Sequence, residues 1–228
     1  MKISKETLRI LKGFMHINPS IFVKKGNVIR TMDAGENMMG SAVVEENFPV
    51  DFAIYDLPNF LNVISMFPDA DIDFENSPKG CCSITYEGHS SEKVLYVYAP
   101  DESVESYDAD LNIPESEINF EMTQENLQKL FTAAKTMALK HLLITPSDGK
   151  TVIATVTNVG DPSSNTFSVK LDADLSIEDF SVVFDIEYFT KIDMRSYKVH
   201  VSSAGASHFE TKNLQYWICL EQQTHFGE

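Results

Sequence analysis

The sequence predicts an α+β protein built as two similar domains, each with two helices packed on antiparallel sheets. Three observations lead to this class. A strand-to-helix junction occurs twice: Phe52-Ala53-Ile54 runs into Tyr55-Asp56 and an amphipathic helix, and Ser181-Val182-Val183 runs into Phe184-Asp185 and another. Further landmarks recur in the same order, Leu8 with Leu127, Gly26 with Gly149 and Tyr55 with Phe184, at offsets of 119, 123 and 129, a drift that short loop insertions explain. Finally, 228 residues suffice for two domains of ordinary size, since a domain typically takes roughly 100–200.

The elements follow in chain order. Ser4 to about Met15 is a helix whose apolar positions are Leu8, Leu11 and Met15, widened by Ile10 and Phe14. Lys2, Lys5, Arg9 and Lys12 form a stripe on its other side. Ile21 to Val23 and Val28 to Thr31 are expected as a hairpin, with Gly26-Asn27 supplying the turn. Ser41 to Val44 is a third strand, and Phe52 leads into a helix reaching about Met66, with Phe60, Val63, Ile64 and Phe67 inward. Strands then cover Ile72 to Phe74, Cys82 to Tyr86 and Val94 to Tyr98. Residues 100–117, punctuated by Pro100 and Pro114, hold seven acidic residues and no basic one, which reads as an extended connector between domains 1–106 and 107–228.

The pattern then restarts. Ile118 to Met122 is a strand, and Thr123 caps a helix with Leu127, Leu130, Phe131, Ala134 and Met137 inward. Leu142 to Thr145 and Thr151 to Val156 form a hairpin turning at Ser147 to Lys150. Asn165 to Leu171 and Phe180 to Phe184 are strands, the second entering the helix that Asp185 caps. Tyr197 to Ser202, Ser207 to Thr211 and Leu214 to Leu220 are strands again.

A hydrophobic share of 43% and a charged share of 23% are those of a soluble globular protein, with no run of membrane-spanning length and no signal-peptide block. Cys81, Cys82 and Cys219 lack metal-site spacing and read as reduced thiols. The acidic run Asp69, Asp71, Asp73 fails as a calcium loop, because Phe74 stands where glycine is needed and Gly80 where glutamate is needed. No phosphate-binding loop, nucleophile elbow or zinc-binding helix motif occurs, and the six histidines are scattered, so neither enzyme activity, cofactor nor metal is expected.

The net charge of −16 argues against a nucleic-acid partner until the charges are placed. Residues 1–14 carry +3, 124–140 carry +2, 186–198 carry +1 and 57–67 none, so the expected helices and their ends sum to +6 while everything else sums to −22. Base on helices within an acidic protein suits one that admits a polyanion to a single face.

The run Met1 to Leu8, the stretch Tyr55-Asp56-Leu57-Pro58-Asn59-Phe60-Leu61, the hairpin from Leu142 to Val156, the length and the duplication together resemble the sliding clamps of large tailed bacteriophages, across the whole chain. The resemblance implies a DNA-clamp fold and a homotrimeric ring with sheets outside and helices around a hole for duplex DNA. It implies as partners the viral DNA polymerase, an ATP-driven clamp loader and late transcription factors, in the cytoplasm of an infected bacterium. On this reading Lys5, Arg9 and Lys12 face DNA, followed by Lys129, Lys135, Lys140, Lys191, Arg195 and Lys198, with Lys129 and Lys135 about 120° apart on their helix. The groove for partner peptides is expected beside the connector, near Tyr96, Tyr98, Pro100 and Tyr107, with Met38 and Met39 as adaptable apolar candidates. The alternative is an acidic, non-catalytic binding module, such as a DNA mimic or an assembly scaffold, acting through residues 101–117.

Overall fold

Ser4, Asp56, Thr123 and Asp185 each cap a helix in the computed structural model, which describes residues 1–67, 69–86, 92–107, 111 and 115–227. Their side-chain oxygens accept from the first-turn amides of Thr7 (3.1 Å), Asn59 (2.8 Å), Asn126 (3.2 Å) and Glu187 (2.8 Å), satisfying donors that have no partner within a helix. The helices are α1 (Lys5–Phe14), α2 (Leu57–Ser65), α3 (Gln124–Met137) and α4 (Ile186–Phe189). The chain divides into two units, Met1–Ala109 and Asp110–Glu228.

In the first unit α1 buries Thr7, Ile10, Leu11 and Phe14, the spacing of a single helical face. The strands are β1 (Ile21–Val23), β2 (Gly26–Met32), β3 (Met38–Phe48), β4 (Phe52–Ile54), β5 (Asp71–Asp73), β6 (Cys81–Thr85) and β7 (Val94–Val97). The expected hairpin needs correction. The chain does reverse between β1 and β2, and the Asn18 side chain ties the approach to β1 to the Met32 carbonyl at the end of β2 (2.9 Å). Among the described residues, however, β1 ladders with β4 and β2 with β3, not with each other. The cause lies at the turn: Gly26 sits at φ +121°, and the Lys25 amide is taken by the Asp51 carboxylate (2.6 Å). Inside this unit Phe48, Phe52 and Phe74 pack with ring centroids 5.0–6.0 Å apart, and β5, β6 and β7 form a separate antiparallel sheet. On α2 the buried residues are Leu57, Phe60, Leu61 and Ile64, whereas Val63 and Phe67 are only half-buried.

Two contacts fix α1 on β3. At Gly40 a Cβ would stand 2.8 Å from the Phe14 ring, so only glycine lets the helix approach this closely. Six residues on, Glu46 is buried and its carboxylate accepts from the Ser4 amide and the Thr7 hydroxyl. Burial pushes the Glu46 carboxyl up, but these hydrogen bonds outweigh it and hold the group below its ordinary value.

The second unit is one antiparallel ladder. Its strands are β8 (Ile118–Met122), β9 (His141–Asp148), β10 (Thr151–Thr157), β11 (Phe167–Leu175), β12 (Phe180–Asp185), β13 (Tyr197–Ser202), β14 (Ala206–Glu210), β15 (Leu214–Cys219) and β16 (His225–Phe226). They run in the order β16-β12-β9-β10-β11-β8-β13-β14-β15. The strand entering the Asp-capped helix pairs with the first strand after the preceding helix in both units, β4 with β1 and β12 with β9, and β2–β3 matches β10–β11. The duplication therefore extends to the ladders. α3 buries Leu127, Leu130 and Ala134, with Phe131 and Met137 half-buried, and ends at Ala138 in the left-handed conformation, φ +52°.

Glu46→Gln places an amide donor against the Ser4 N–H and Thr7, and is expected to cost about 1–3 kcal/mol in denaturant unfolding. Because the folded carboxyl lies below its ordinary value of 4.5, the wild-type advantage is full above that pH and is lost as pH falls through the folded value. A gap between wild type and variant that persists undiminished at the acid end would contradict this.

Candidate nucleic-acid interface

On α1, Lys5, Arg9 and Lys12 are all exposed and lie within about 30° of the direction opposite the buried stripe, at about 100° per residue. The helix ends at Phe14, and exposed His16 continues the line beyond it. This outward stripe exists because Glu46 and Gly40 hold the other side of the helix down. In α3 the charges are arranged differently. Lys129 and Lys135 are exposed on opposite flanks, about 120° apart by the same geometry, and Lys129 is paired with Glu125 one turn earlier. Lys140 is exposed in the link to β9, with its amide donating to the Asn158 side chain (2.9 Å).

The three remaining basic candidates are not on a helix. α4 is a single turn: the Thr190 hydroxyl donates back to the Glu187 carbonyl (2.7 Å), and the β-branched Thr190 and Ile192 are poor helix formers. Lys191 therefore lies past the helix, only 19% exposed, 3.8 Å from Glu187 and with its ammonium 5.2 Å from the centre of the Tyr188 ring. Arg195 is mostly buried in an ion pair with Asp193, whose backbone is held by Tyr197 and Tyr216. Lys198 is on β13 with Glu121 and Glu210 as its cross-strand neighbours. Arg195 thus serves the fold, and Lys198 belongs to a strand face.

The strand faces turned away from the helices carry acid. Glu46 points from β3 to α1, so by strand alternation its neighbours Glu45 and Asn47 point the other way, and both are exposed. On β11, Leu171 is buried while Asp172 and Asp174 are exposed, and on β8 Phe120 and Met122 are buried while Glu121 is exposed.

The groove candidates separate by burial. Met38 and Met39 are 1% and 4% exposed, because both faces of β3 are covered at its start, so they are core and not groove. Tyr96 packs edge-on against Phe60 (4.9 Å), and Tyr98 stacks on Phe52 (5.4 Å) near Cys82, whose thiol burial pushes up to about 11. Pro100 is exposed, and Tyr107 is half-buried and donates to Glu105; burial first and this carboxylate second push its phenol up to about 12. Of residues 100–117, Asp101–Ser103 form a short 3-10 turn, and 108–110 and 112–114 lie outside the described residues.

Two surface features have no counterpart among the residues expected from sequence. Tyr55 and Met66 at the ends of α2 are 70% and 67% exposed, and with Asn59 and Asn62 between them they form an uncharged outward stripe. Leu95 and Val97 are also exposed on β7, which among the described residues ladders only with β6. The unbroken apolar run from Val94 to Tyr98 was the available signal, since such a run reads as a strand covered on both faces.

Comparison with known proteins matches residues 4–91 to a family described as DNA polymerase processivity factor and residues 119–222 to one described as gp45 sliding clamp, C terminal. A sliding clamp of Vibrio phage KVP40 is 30% identical over 226 residues, covering 97% of this chain and 99% of that protein. A sliding clamp of Escherichia phage RB69 is 28% identical, covering 97% of each. The fold is also that of a solved proliferating cellular nuclear antigen from Entamoeba histolytica, with a TM-score of 0.71, 11% identity and 94% of each chain covered.

The burial of Arg195 separates structural from surface charge. Arg195→Ala is expected to destabilise the chain by about 3 kcal/mol, the low end for a buried pair broken on one side. Lys12→Ala should stay within about 0.5 kcal/mol of wild type. Equal thermal unfolding of the two variants would contradict the assignment.

Proposed function

The chain belongs to the sliding-clamp family of phage DNA polymerase processivity factors, and on that premise we propose that three copies join head to tail in a ring around duplex DNA. The ring tethers the viral replicative polymerase, is opened and closed by a separate ATP-driven loader, and also serves as a platform for late viral transcription in the cytoplasm of the infected host. Its role is non-catalytic: it raises the effective concentration of the polymerase at the primer end by topology.

The observation that carries the reading is the sorting of charge between helix and strand faces. Lys5, Arg9 and Lys12 stand on the helix side, and Glu45, Glu121, Asp172 and Asp174 on the strand side. A chain of net charge −16 with base gathered on α1 attracts a polyanion to that face and repels it from the others. Lys135 and Lys140 extend the DNA-facing set in the second unit. Lys129 and Lys191 contribute less, because each is already near a glutamate. Polymerase and transcription peptides dock near Pro100 and Tyr107. A DNA mimic would need its acid gathered on one binding face; acid spread over several strand faces does not supply that.

Processive synthesis on a primed circular template, with cognate polymerase and loader, tests the reading. Arg9→Glu with Lys12→Glu should shorten products strongly without changing thermal stability. It should also flatten the salt dependence of DNA association by about one unit of log–log slope for each phosphate no longer neutralised. Full-length products from the double variant would remove α1 from the lining.

A further inference from the structure

A row of side chains with two histidines and a tryptophan crosses the outward strand face of the second unit. Asn119 on β8, His200 on β13, His208 on β14 and Trp217 on β15 are direct cross-strand partners in that order. Their chain neighbours Phe120, Val199, Phe209 and Tyr216 are buried, so by strand alternation the row points away from the core, and all four of its members are half-buried. The rings stand face to face. His208 is the middle one, 4.8 Å from Trp217 at an interplanar angle of 12° and 5.9 Å from His200 at 30°.

Hydrogen bonds at one end of the row decide where the His200 proton lies. Asn119 Nδ2 donates to the Ser116 carbonyl (3.2 Å), which only the amide nitrogen can do, so Asn119 Oδ1 is the atom that faces His200 Nδ1 at 2.6 Å. An oxygen there can only accept, and His200 Nδ1 therefore carries the hydrogen. That leaves the Nε2 lone pair of the neutral ring 3.5 Å from the Glu210 carboxylate, an acceptor facing an acceptor. A proton on Nε2 turns this contact into an ion pair. Lys198, the cross-strand partner of Glu210, and Glu121, the partner of Lys198, complete the adjoining row. Asp174 faces Asn119 from β11, and exposed Cys219 follows Trp217 on the outward side of β15.

His208 is placed differently. Its Nε2 lies 3.2 Å from Gln215 Oε1, and its faces are covered by Trp217 and His200. Burial is the main influence on it and holds it below its ordinary value of 6.5; Gln215 and Glu210 act the other way, and His200 acts with burial. The advantage of the closed stack is therefore full above that value and is lost as pH falls through it, because a ring swung into water takes the proton more readily. The indole N–H of Trp217 adds a second reason for opening, since it is buried without a hydrogen-bond partner among the described residues and water would supply one.

We propose that the Asn119–His200–His208–Trp217 row is an acid-operated switch on the outward face of the second unit. In the neutral state the stack is closed. With His200 protonated against Glu210, a further proton from solvent on His208 sets two imidazolium rings face to face, and the His208 ring leaves the stack on the side of Glu210. Acid thereby uncovers the Trp217 indole on a face that otherwise shows Glu121, Lys198 and Glu210.

Trp217 is the one tryptophan of the chain, so its fluorescence reads the stack directly. As the pH of the full chain is lowered from about 8 to about 5, the range in which histidine changes charge, wild-type emission should shift reversibly to longer wavelength while far-ultraviolet circular dichroism stays constant. His208→Phe keeps a ring in the stack and takes no proton, so its emission should not move over the same range. Nitrogen-15 spectra of the wild-type imidazoles should show His200 protonated on Nδ1 at the alkaline end and His208 becoming an imidazolium in step with the emission. These spectra need no variant and decide the matter even if His208→Phe fails to fold. Constant wild-type emission, an equal shift in His208→Phe, or a His208 that stays neutral throughout would overturn the proposal.

Discussion

A buried carboxylate decides which way the basic helix faces. Glu46 reaches from the inner face of β3 to the first turn of α1 and takes two hydrogen bonds there, and Gly40 on the same strand lets Phe14 come into contact. The N-terminal end of a helix favours negative charge, so the carboxylate is stabilised where it also anchors. With both ends of α1 seated, Lys5, Arg9 and Lys12 have one direction left, away from the sheet. The outward placement of these charges follows from a packing constraint.

The same alternation that turns Glu46 inward turns Glu45 outward, so a single strand seats the basic helix on one side and shows acid on the other. On the ring reading this has a mechanical meaning. The lining attracts phosphate without surrounding it closely, and bonds that are few and exchangeable do not stop sliding. The acidic outer wall repels a second duplex. What holds the complex is closure of the ring, so the energetics that matter are those of the contact between copies.

Much of this was legible in the residues. Caps at Asp56, Thr123 and Asp185 were readable because short oxygen-bearing side chains before an apolar-periodic run have few other uses, whereas Ser4, read as part of its helix, stands before it as the cap. The duplication was readable from repeated junctions, and the α1 stripe from its spacing. What escaped depended on neighbours distant in sequence. The Asp185 cap does not reveal that its helix stops after four residues, because that is set by Thr190 turning back on Glu187. Strand alternation puts one of Met38 and Met39 outside, yet both are covered. The Lys25 amide goes to Asp51 and not across a hairpin, which no local signal announced. Tyr55 marked the repeat at once, but its exposure depends on how α2 packs, which its neighbours in sequence do not set.

The central claim, retention by topology, is tested most directly by loading the chain onto a nicked circular DNA and cutting that DNA once. The account predicts that protein stays with the circle at salt concentrations that abolish simple ionic binding and is released when the circle is linearised. Equal retention on circular and linear DNA, or loss from both at that salt, would contradict it.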